Sequence, residues 1–378
     1  MIFHVLGVAH TKTNLDYVPC AYTMKVWNFC KMMKSLGHKV IHYGNEGSNP
    51  ECDEQVNILS SSEFDSFYDN PKYYKKDFFD GNYENWIWKE FIKRAKVEIE
   101  KRINKTPGEQ DFVISFFGGY FWKEGNKTPF VEAGIGYTGW CARFCVFESY
   151  YWLAYNYGLR KKTLGDYYHV VIPNYIDPDM FEFNNSPQDY FCFVGRLIPN
   201  KGLNIIKQIS NILKIKIKVA GQGNSDLLEL DKHPYIEFLG TVNVQQRRDL
   251  FKNAIASFAP TNYLEPFGGV AMEAQISGTP CIASDWGGFT ENILHGVTGF
   301  RCRTFQDFCE AVERVKQLNR QNCRDFIINN NSINRVKWMY QDYFEKLEDV
   351  FKNRGWYTNR DDRKVKPLDW LNKWYSNG

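Results

Sequence analysis

The sequence contains no long hydrophobic run, because no stretch approaches the ~18 consecutive apolar residues of a membrane-spanning helix. It also lacks an excess of one charge, since 47 basic and 44 acidic residues leave a formal net charge of only +3. Nucleic-acid-binding proteins usually carry a strongly basic surface, so this balance argues against that class of function. No charged leader followed by an apolar segment opens the chain. We therefore expect a soluble, cytoplasmic protein.

Metal-binding and disulfide patterns are missing as well. The ten cysteines form no Cys-x-x-Cys spacing and no cluster with histidine, which argues against a zinc motif or a disulfide scaffold. Most of them stand in apolar runs such as Phe191-Cys192-Phe193, a pattern typical of small buried side chains. So many unpaired thiols suit a reducing cytoplasm.

Strands and helices alternate along the first half of the chain. Residues 2–9, 20–36 and 39–43 predict a strand, a helix and a strand with short connections, the usual opening of a parallel sheet. Further strands are predicted at 56–60, 111–117 and 169–172. A surface excursion is predicted over 62–83 and a helix over 86–103. Together they predict a Rossmann-like domain over residues 1–180.

A second domain follows a polar, turn-rich stretch at Asn184-Asn185-Ser186-Pro187, which has the composition of a linker. Strands are predicted at 190–195, 215–220, 236–239, 256–259 and 281–283, with helices between them and a short helix near 225–230. Five such strands predict a second doubly wound sheet over residues 188–331. Amphipathic spacing from Ser332 to Phe351 then predicts a long helix that opens a C-terminal unit, residues 332–378.

Three strands of the second domain end in segments suited to phosphate binding. These segments are Gly195-Arg196-Leu197-Ile198-Pro199-Asn200-Lys201-Gly202, then Gly221-Gln222-Gly223, then the stretch from 261 to 291. In the third, a glycine pair starts a helix whose first amides have no internal partner and carry the positive end of the dipole. Carboxyl ends of parallel strands meet at one edge of a sheet, so we expect the three segments to converge on one ligand.

Glu265 and Glu273 flank that glycine pair, Gly268-Gly269. Two carboxylates beside a sugar-sized site could form the acid/base pair of a glycosidase. The helix start between them and the cations Arg196 and Lys201 nearby favour another interpretation, in which the carboxylates bind hydroxyl groups on either side of a diphosphate.

The order and spacing of these motifs resemble family 4 of the glycosyltransferases over about residues 170–312. The matching motifs are Gly195-Arg196-x4-Lys201-Gly202, Gly221-x-Gly223, Phe238-Leu239-Gly240, Pro260-x4-Glu265-Pro266-Phe267-Gly268-x3-Met272-Glu273-Ala274, Gly278-Thr279-Pro280 and Gly287-Gly288-x2-Glu291. The resemblance implies the α/β GT-B architecture, in which two Rossmann-like, doubly wound parallel-sheet domains face each other across a cleft. It also implies a retaining transfer of a sugar from a nucleotide-diphosphate sugar.

The resemblance also implies roles for single residues. Arg196 and Lys201 would neutralise the donor diphosphate as it leaves, Glu265 would hold a hydroxyl of the transferred sugar, and Glu273 would accept from the ribose hydroxyls. The remaining donor-site residues would be Gly195, Gly221, Gly223, Leu239, Phe267, Gly268 and Gly269. The donor would be a UDP- or GDP-sugar. No prosthetic group and no metal are implied, because the two cations would do the work of a metal ion.

The first half resembles the family only in outline. Many members carry a glycine pair after the first strand and a histidine after a mid-domain strand. This chain reads Gly7-Val8-Ala9-His10-Thr11 and Phe116-Phe117-Gly118-Gly119-Tyr120 at those places. His10 is therefore our candidate for a catalytic polar group facing the cleft, the alternative being a loop histidine without a role. Candidates for the acceptor side, which the sequence does not rank, are Glu132, Tyr137, Glu148 and Ser149, whereas His169 lies inside a strand and is interpreted as structural.

Other functions stay open. A nucleotide-sugar epimerase or a phosphorolytic enzyme would use the same architecture without a sugar acceptor, and a non-catalytic protein would only bind the nucleotide sugar. For a transferase, the acceptor could be a glycan, a lipid-linked sugar or a small molecule. The segment from Trp356 to Trp374 mixes basic and aromatic residues, which suits peripheral contact with an anionic membrane. The final helix of this architecture usually packs on the first domain instead, and we favour that interpretation.

Overall fold

The computed structural model describes residues 1–68, 81–118, 128–223, 233–358 and 361–364. Within these ranges the chain forms two parallel sheets. The first has seven strands in the order β3-β2-β1-β4-β5-β6-β7, namely β1 (Ile2–Leu6), β2 (Lys39–Gly44), β3 (Glu54–Asn57), β4 (Asp111–Ser115), β5 (Phe130–Ile135), β6 (Phe144–Phe147) and β7 (His169–Val171). Its helices are α1 (Ala21–Ser35), α2 (Ser61–Tyr68), α3 (Trp86–Glu100) and α4 (Tyr150–Leu159).

The second sheet has six strands in the order β10-β9-β8-β11-β12-β13. They are β8 (Phe191–Val194), β9 (Ile217–Ala220), β10 (Ile236–Phe238), β11 (Ser257–Ala259), β12 (Cys281–Ser284) and β13 (Gly299–Cys302). The accompanying helices are α5 (Leu203–Leu213), α6 (Val244–Asn253), α7 (Gly269–Ile276), α8 (Phe289–Asn292), α9 (Phe305–Arg314), α10 (Arg320–Asn331) and α11 (Ile333–Phe351). The prediction of two doubly wound parallel sheets is confirmed.

The first sheet is covered on both faces, as the alternation of β1 shows. Ile2 and Leu6 pack in one apolar cluster with α3, whereas Phe3 and Val5 pack in another with α1 and α11. Successive side chains of a strand point to opposite faces, so a strand buried on both sides reads as one continuous apolar run. This is why β1 was recognisable in the sequence.

Several elements differ from the prediction. The excursion predicted over 62–83 begins with helix α2, whose Phe64 is fully buried against Tyr17; residues 69–80 lie outside the described range. The second sheet has a sixth strand, β13, beside β12. It is four residues long and begins at Gly299, where a Cβ would lie 2.0 Å from the carbonyl oxygen of Cys281. So short a strand shows no period in the sequence. The short helix predicted near 225–230 also lies outside the described residues.

Helix α11 returns from the second domain and packs on the first sheet. Its Val336, Tyr340 and Phe344 share one apolar cluster with Phe3 and Phe29, and the Tyr340 hydroxyl donates to the carbonyl of Ala133 at 2.6 Å. This helix therefore buries its apolar stripe against a domain that lies far from it in the sequence.

The described part of the basic-aromatic segment also lies on the first domain. The ring of Trp356 contacts those of Tyr168 and Tyr343, and the guanidinium of Arg363 pairs with Asp349 at 2.5 Å. The remainder of the segment, including Trp370 and Trp374, lies outside the described residues. The membrane contact weighed for this segment stays a prediction.

Candidate active site

A cavity of about 400 Å³ lies between the two domains, and we refer to it as the cleft cavity. The strand order reverses between β1 and β4 in the first sheet and between β8 and β11 in the second. Loops that leave a sheet on either side of such a reversal diverge and open a crevice. The loops after these four strands supply His10, Phe117, Gly195 and Glu265 to the wall of the cavity. The topology of both sheets therefore points at the same space.

Most of the predicted site residues line this cavity. They are His10, Gly195, Arg196, Lys201, Gly221, Glu265, Gly268 and Gly269. Glu273 lines an adjoining cavity of about 210 Å³, the hinge cavity, which lies between α1, the chain crossing at 174–177 and helices α6 and α7. Gly223, Leu239 and Phe267 line neither cavity, and the ring of Phe267 is buried against Met272 and Ile276.

Gly221 joins two of the predicted motifs. Its φ is +155°, and a Cβ there would lie 1.7 Å from the carbonyl oxygen of Gly195. No other residue could be accommodated without moving the turn after β8. Gly268, with φ +86°, is the N-cap of α7, and a Cβ there would lie 2.3 Å from the ring of Phe289. Both glycines let backbone approach closely, and the α7 position leaves the first helix amides at the cavity.

Lys201, Glu265 and Tyr263 form one polar group on the second-domain side. The ammonium of Lys201 pairs with Glu265 Oε1, and the Tyr263 hydroxyl donates to Oε2 of the same carboxylate. The Lys201 nitrogen also lies 4.6 Å from the centre of the Tyr263 ring. Burial raises the pKa of Tyr263, the charge of Glu265 adds to the shift, and the charge of Arg196 opposes it. The phenol therefore stays protonated and can donate. Sequence reasoning missed Tyr263, because only the fold shows which side of the loop it occupies.

Glu273 stands in the second turn of α7, four residues after Gly269. Its Oε2 accepts from Nε of Arg247 on α6 at 2.5 Å. Sequence reasoning missed Arg247 as well, because helix α6 carries no motif and 26 residues separate the partners. The two carboxylates thus have different cationic partners, Lys201 for Glu265 and Arg247 for Glu273.

His10 is nearly buried at the first-domain edge of the cleft cavity. Its Nε2 lies 3.4 Å from Sγ of Cys20, and its ring packs near Trp88 and Phe117. Burial lowers the pKa of His10 to about 3, so the imidazole is neutral near pH 7. A neutral ring can accept or donate one hydrogen bond, but it adds no positive charge to the site.

The acceptor-side candidates lie behind the cavity rather than in its wall. Glu132 accepts from the amide of Cys141 at 3.1 Å, and Glu148 pairs with the buried Lys25. Tyr137 is part of the aromatic cluster around Phe117. None of the candidates lines the cleft cavity. His169 is buried and its Nδ1 lies 2.9 Å from the Tyr157 hydroxyl, and burial lowers its pKa to about 4.

Ser149 and Glu291 connect the domains at the N-terminus of α4. Ser149 Oγ caps the helix at the amide of Trp152 and donates to the carbonyl of Pro266 at 2.6 Å. The two oxygens of Glu291 accept from the amides of Tyr150 and Tyr151 at 3.0 and 2.8 Å. A carboxylate of the second domain therefore sits at the positive end of a first-domain helix. We call this arrangement the cross-domain cap.

In the described ranges, no group of three or more His, Cys, Asp or Glu side chains is arranged to hold a metal ion. Among the helices of the described chain, none is both long and apolar enough to cross a membrane.

Several solved structures of glycosyltransferases have a similar fold. AviGT4, a glycosyltransferase involved in avilamycin A biosynthesis, superposes with a TM-score of 0.65 at 17% identity, covering 93% of this chain and 98% of that one. Sucrose-phosphate synthase from Thermosynechococcus elongatus gives a TM-score of 0.68 at 14% identity over 93% and 100% of the two chains. HepE of Anabaena in complex with UDP-glucose gives 0.59 at 12% identity over 92% and 100%. The fold is thus GT-B.

Sequence relatives match a narrower region. An uncharacterized glycosyltransferase of Methanocaldococcus jannaschii is 34% identical over 187 residues, 42% of this chain and 47% of that protein. A glycogen synthase of Mycobacterium tuberculosis is 32% identical over 149 residues, 35% of this chain and 36% of that protein. The chain therefore spans less than half the length of these curated relatives. Residues 177–332 match the family model of glycosyl transferases group 1. This family match therefore covers the domain that carries Arg196, Lys201 and Glu265.

Proposed function

We propose that this protein is a retaining glycosyltransferase, a member of family 4, that moves a sugar from a nucleotide-diphosphate sugar to a glycan, a lipid-linked sugar or a small molecule. One observation carries the proposal. Arg196, Lys201, Glu265 and the start of α7 at Gly268 all line one cavity between the domains of a GT-B fold. Two cations and a helix start suit a diphosphate, and a carboxylate beside them suits a sugar hydroxyl.

The chemistry follows from where charge develops. As the bond between the sugar and the diphosphate breaks, negative charge accumulates on the phosphate oxygens. Arg196 and Lys201 stabilise that charge, and preorganised charges of this kind supply much of the rate enhancement in transferases. Because the cations neutralise the leaving group, we propose that the reaction needs no metal ion.

The carboxylates orient the donor at its two ends. Glu265 already binds Lys201 and Tyr263, so its oxygens are held in place before a sugar arrives. Glu273 lies one helical turn further along α7, about 6 Å from Gly269 at ~1.5 Å per residue, which suits the ribose of a donor whose phosphates lie at the helix start. The neutral ring of His10 faces the same cavity from the first domain and is our candidate for a hydrogen bond to the transferred sugar.

A thermal-shift panel of nucleotide sugars tests the donor class. A ligand that binds only the folded protein stabilises it by about 2.7 kcal/mol at a hundred times its dissociation constant, so the correct donor should stand out. UDP-sugars come first, because HepE of Anabaena, with the same fold, binds UDP-glucose, and GDP-sugars come second. A panel without any stabilising nucleotide would contradict the proposal.

Product analysis with the stabilising donor then tests the reaction. Transfer to an added acceptor with retention at the anomeric carbon is the expected result, unaffected by a chelator. An altered sugar still attached to the nucleotide would indicate an epimerase, and a sugar phosphate would indicate a phosphorolytic enzyme. Binding without any turnover would indicate a binding protein.

A further inference from the structure

Arg247 occupies a special position in the site. Among the described residues it is the only charged side chain that lines both the cleft cavity and the hinge cavity. It stands in the first turn of α6, directly after the loop that supplies Thr241 and Val242 to the cleft cavity. Its guanidinium reaches across to α7 and donates from Nε to Glu273.

The pair leaves defined groups available to a ligand. Glu273 accepts the hydrogen bond from Arg247 through Oε2 alone. Among the described residues, neither Oε1 of Glu273 nor the two terminal nitrogens of Arg247 has a hydrogen-bond partner. Both side chains are 21% exposed, so a ligand in the cavities can reach them. A partly exposed ion pair of this kind adds little to folding stability. The geometry of the pair is better explained by the fixed orientation that Arg247 gives to the Glu273 carboxylate.

We infer that Arg247 is a positioning residue that makes Glu273 selective for ribose. This inference rests on the proposed function, in which Glu273 binds the ribose of the donor. The planar guanidinium holds Oε2 and thereby limits rotation of the carboxylate, which leaves Oε1 as a fixed acceptor for a ribose hydroxyl. A carboxylate left with an unsatisfied oxygen disfavours a nucleotide that lacks the hydroxyl, since the bound nucleotide would shield this charged acceptor from water without giving it a partner.

The test compares nucleotides that differ by one hydroxyl. UDP, or GDP if the thermal-shift panel selects guanine, is titrated calorimetrically beside its 2′-deoxy and 3′-deoxy forms. The wild-type protein should bind the ribonucleotide roughly 10- to 100-fold more tightly than at least one deoxy form, the range expected for one hydrogen bond to a charged group. The measured quantity is this ratio rather than the affinity.

Four variants separate positioning from other roles. Arg247→Met keeps the aliphatic stem and removes the fork, and Glu273→Gln removes the charged acceptor. Each should bring the ratio to within about threefold of one, and the double variant should lower it no further, because the two residues act as one unit. Arg248→Met is the matched control. Arg248 follows Arg247 in the sequence, but its guanidinium lies over the ring of Phe181. This variant should therefore keep the wild-type ratio.

Different results overturn different statements. A wild-type ratio in Arg247→Met, with selectivity lost in Glu273→Gln, would show that Arg247 does not position the carboxylate. An equal loss of affinity for both nucleotides in Arg247→Met would assign Arg247 to the phosphates and would likewise overturn the inference. If the wild-type protein binds no nucleoside diphosphate, the proposed function itself fails.

Discussion

The two domains share a sheet topology but form opposite walls of the cleft cavity from different chemistry. The wall of the second domain carries charge and glycine, in Arg196, Lys201, Glu265 and the Gly268-Gly269 pair. The wall of the first domain is mainly apolar and aromatic, formed by His10, Pro19, Cys20, Ala21, Tyr22, Gly81 and Phe117. The one imidazole ring of this wall is that of His10, which is neutral near pH 7.

Among the described residues, no Lys, Arg, Asp or Glu of the first domain lines the cleft cavity, although Lys25 lines the hinge cavity. Lys25 pairs with Glu148, and His4 lies 2.8 Å from Asp111. These four side chains are almost fully buried. The comparison teaches that charges of the first domain are paired in its interior, whereas in the second domain charge lies where a ligand can use it. Each prediction below tests one side of this difference.

The largest effect is expected from the buried pair of the first domain. Lys25→Met leaves Glu148 without its partner inside the protein and should lower the free energy of unfolding by about 3–5 kcal/mol, the usual cost of breaking a buried ion pair. Chemical denaturation measures it. The double variant Lys25→Met/Glu148→Leu removes both charges and should recover most of the loss. A stable single variant would contradict a structural role for the pair.

Lys201→Ala tests the second domain. We expect transfer to fall by about 100- to 1000-fold, equivalent to about 2.7–4 kcal/mol, because one preorganised charge on the leaving group is lost. Circular dichroism and the melting temperature should show an intact fold. Lys216→Ala, an exposed lysine of the same domain, is the control and should retain full turnover. Near-normal transfer by Lys201→Ala would contradict the assignment of this residue.

Acid should destabilise the first domain through its buried histidines. Burial lowers the pKa of His42 to about 4 and that of His10 to about 3, below the ordinary value of 6.5. The unfolded chain therefore binds more protons as the pH falls below 6.5, and stability present above that pH is lost towards pH 4. At pH 5 the loss is at most about 2 kcal/mol for each histidine.

Denaturation curves between pH 7 and pH 5 measure this loss. His42→Gln should flatten the dependence of unfolding free energy on pH, whatever its effect on stability at pH 7. The comparison variant is His295→Gln, at an exposed position of the second domain, which should keep the wild-type slope. An unchanged slope in His42→Gln would show that this histidine is not the source.

The smallest effect is expected where the domains meet. Glu291→Gln removes the charge from the cross-domain cap and should weaken the contact with the α4 amides by about 1 kcal/mol. Small-angle scattering without ligand should then show a more open average arrangement, with each domain still folded. Glu310→Gln, on the exposed face of α9, is the control. A closed arrangement in Glu291→Gln would mean that Ser149 and other contacts hold the two domains together without this charge.

The sequence predicted the second-domain side of the site better than the first. Glycine is required at positions such as Gly221 and Gly268, because a Cβ there would collide with neighbouring backbone or with an aromatic ring. This requirement leaves a motif in the sequence. Tyr263 and Arg247 left no such motif, because their positions depend on how neighbouring segments pack. The roles assigned to the predicted site residues stay predictions.

The first-domain wall shows the limit of sequence reasoning most clearly. The order of apolar runs predicted the strands behind it, but not that Glu148 would face a buried lysine 123 residues away. Residues 62–83 were predicted to be irregular because their composition is polar. Helix α2 forms at the start of this stretch because Phe64 packs into an apolar cluster of the first domain. Long-range burial overrides local composition in both places.

By itself the sequence determined the alternation of strands and helices and the convergence of three glycine-rich segments at one sheet edge. Apolar runs and obligatory glycines are local constraints, so a single chain records them. Only the tertiary structure decided which ion pairs form, Lys201 with Glu265 and Arg247 with Glu273, and which side chains line the cleft cavity. Those contacts join segments distant in sequence, and their geometry is fixed only when both sheets, α11 and the cross-domain cap bring the two domains together.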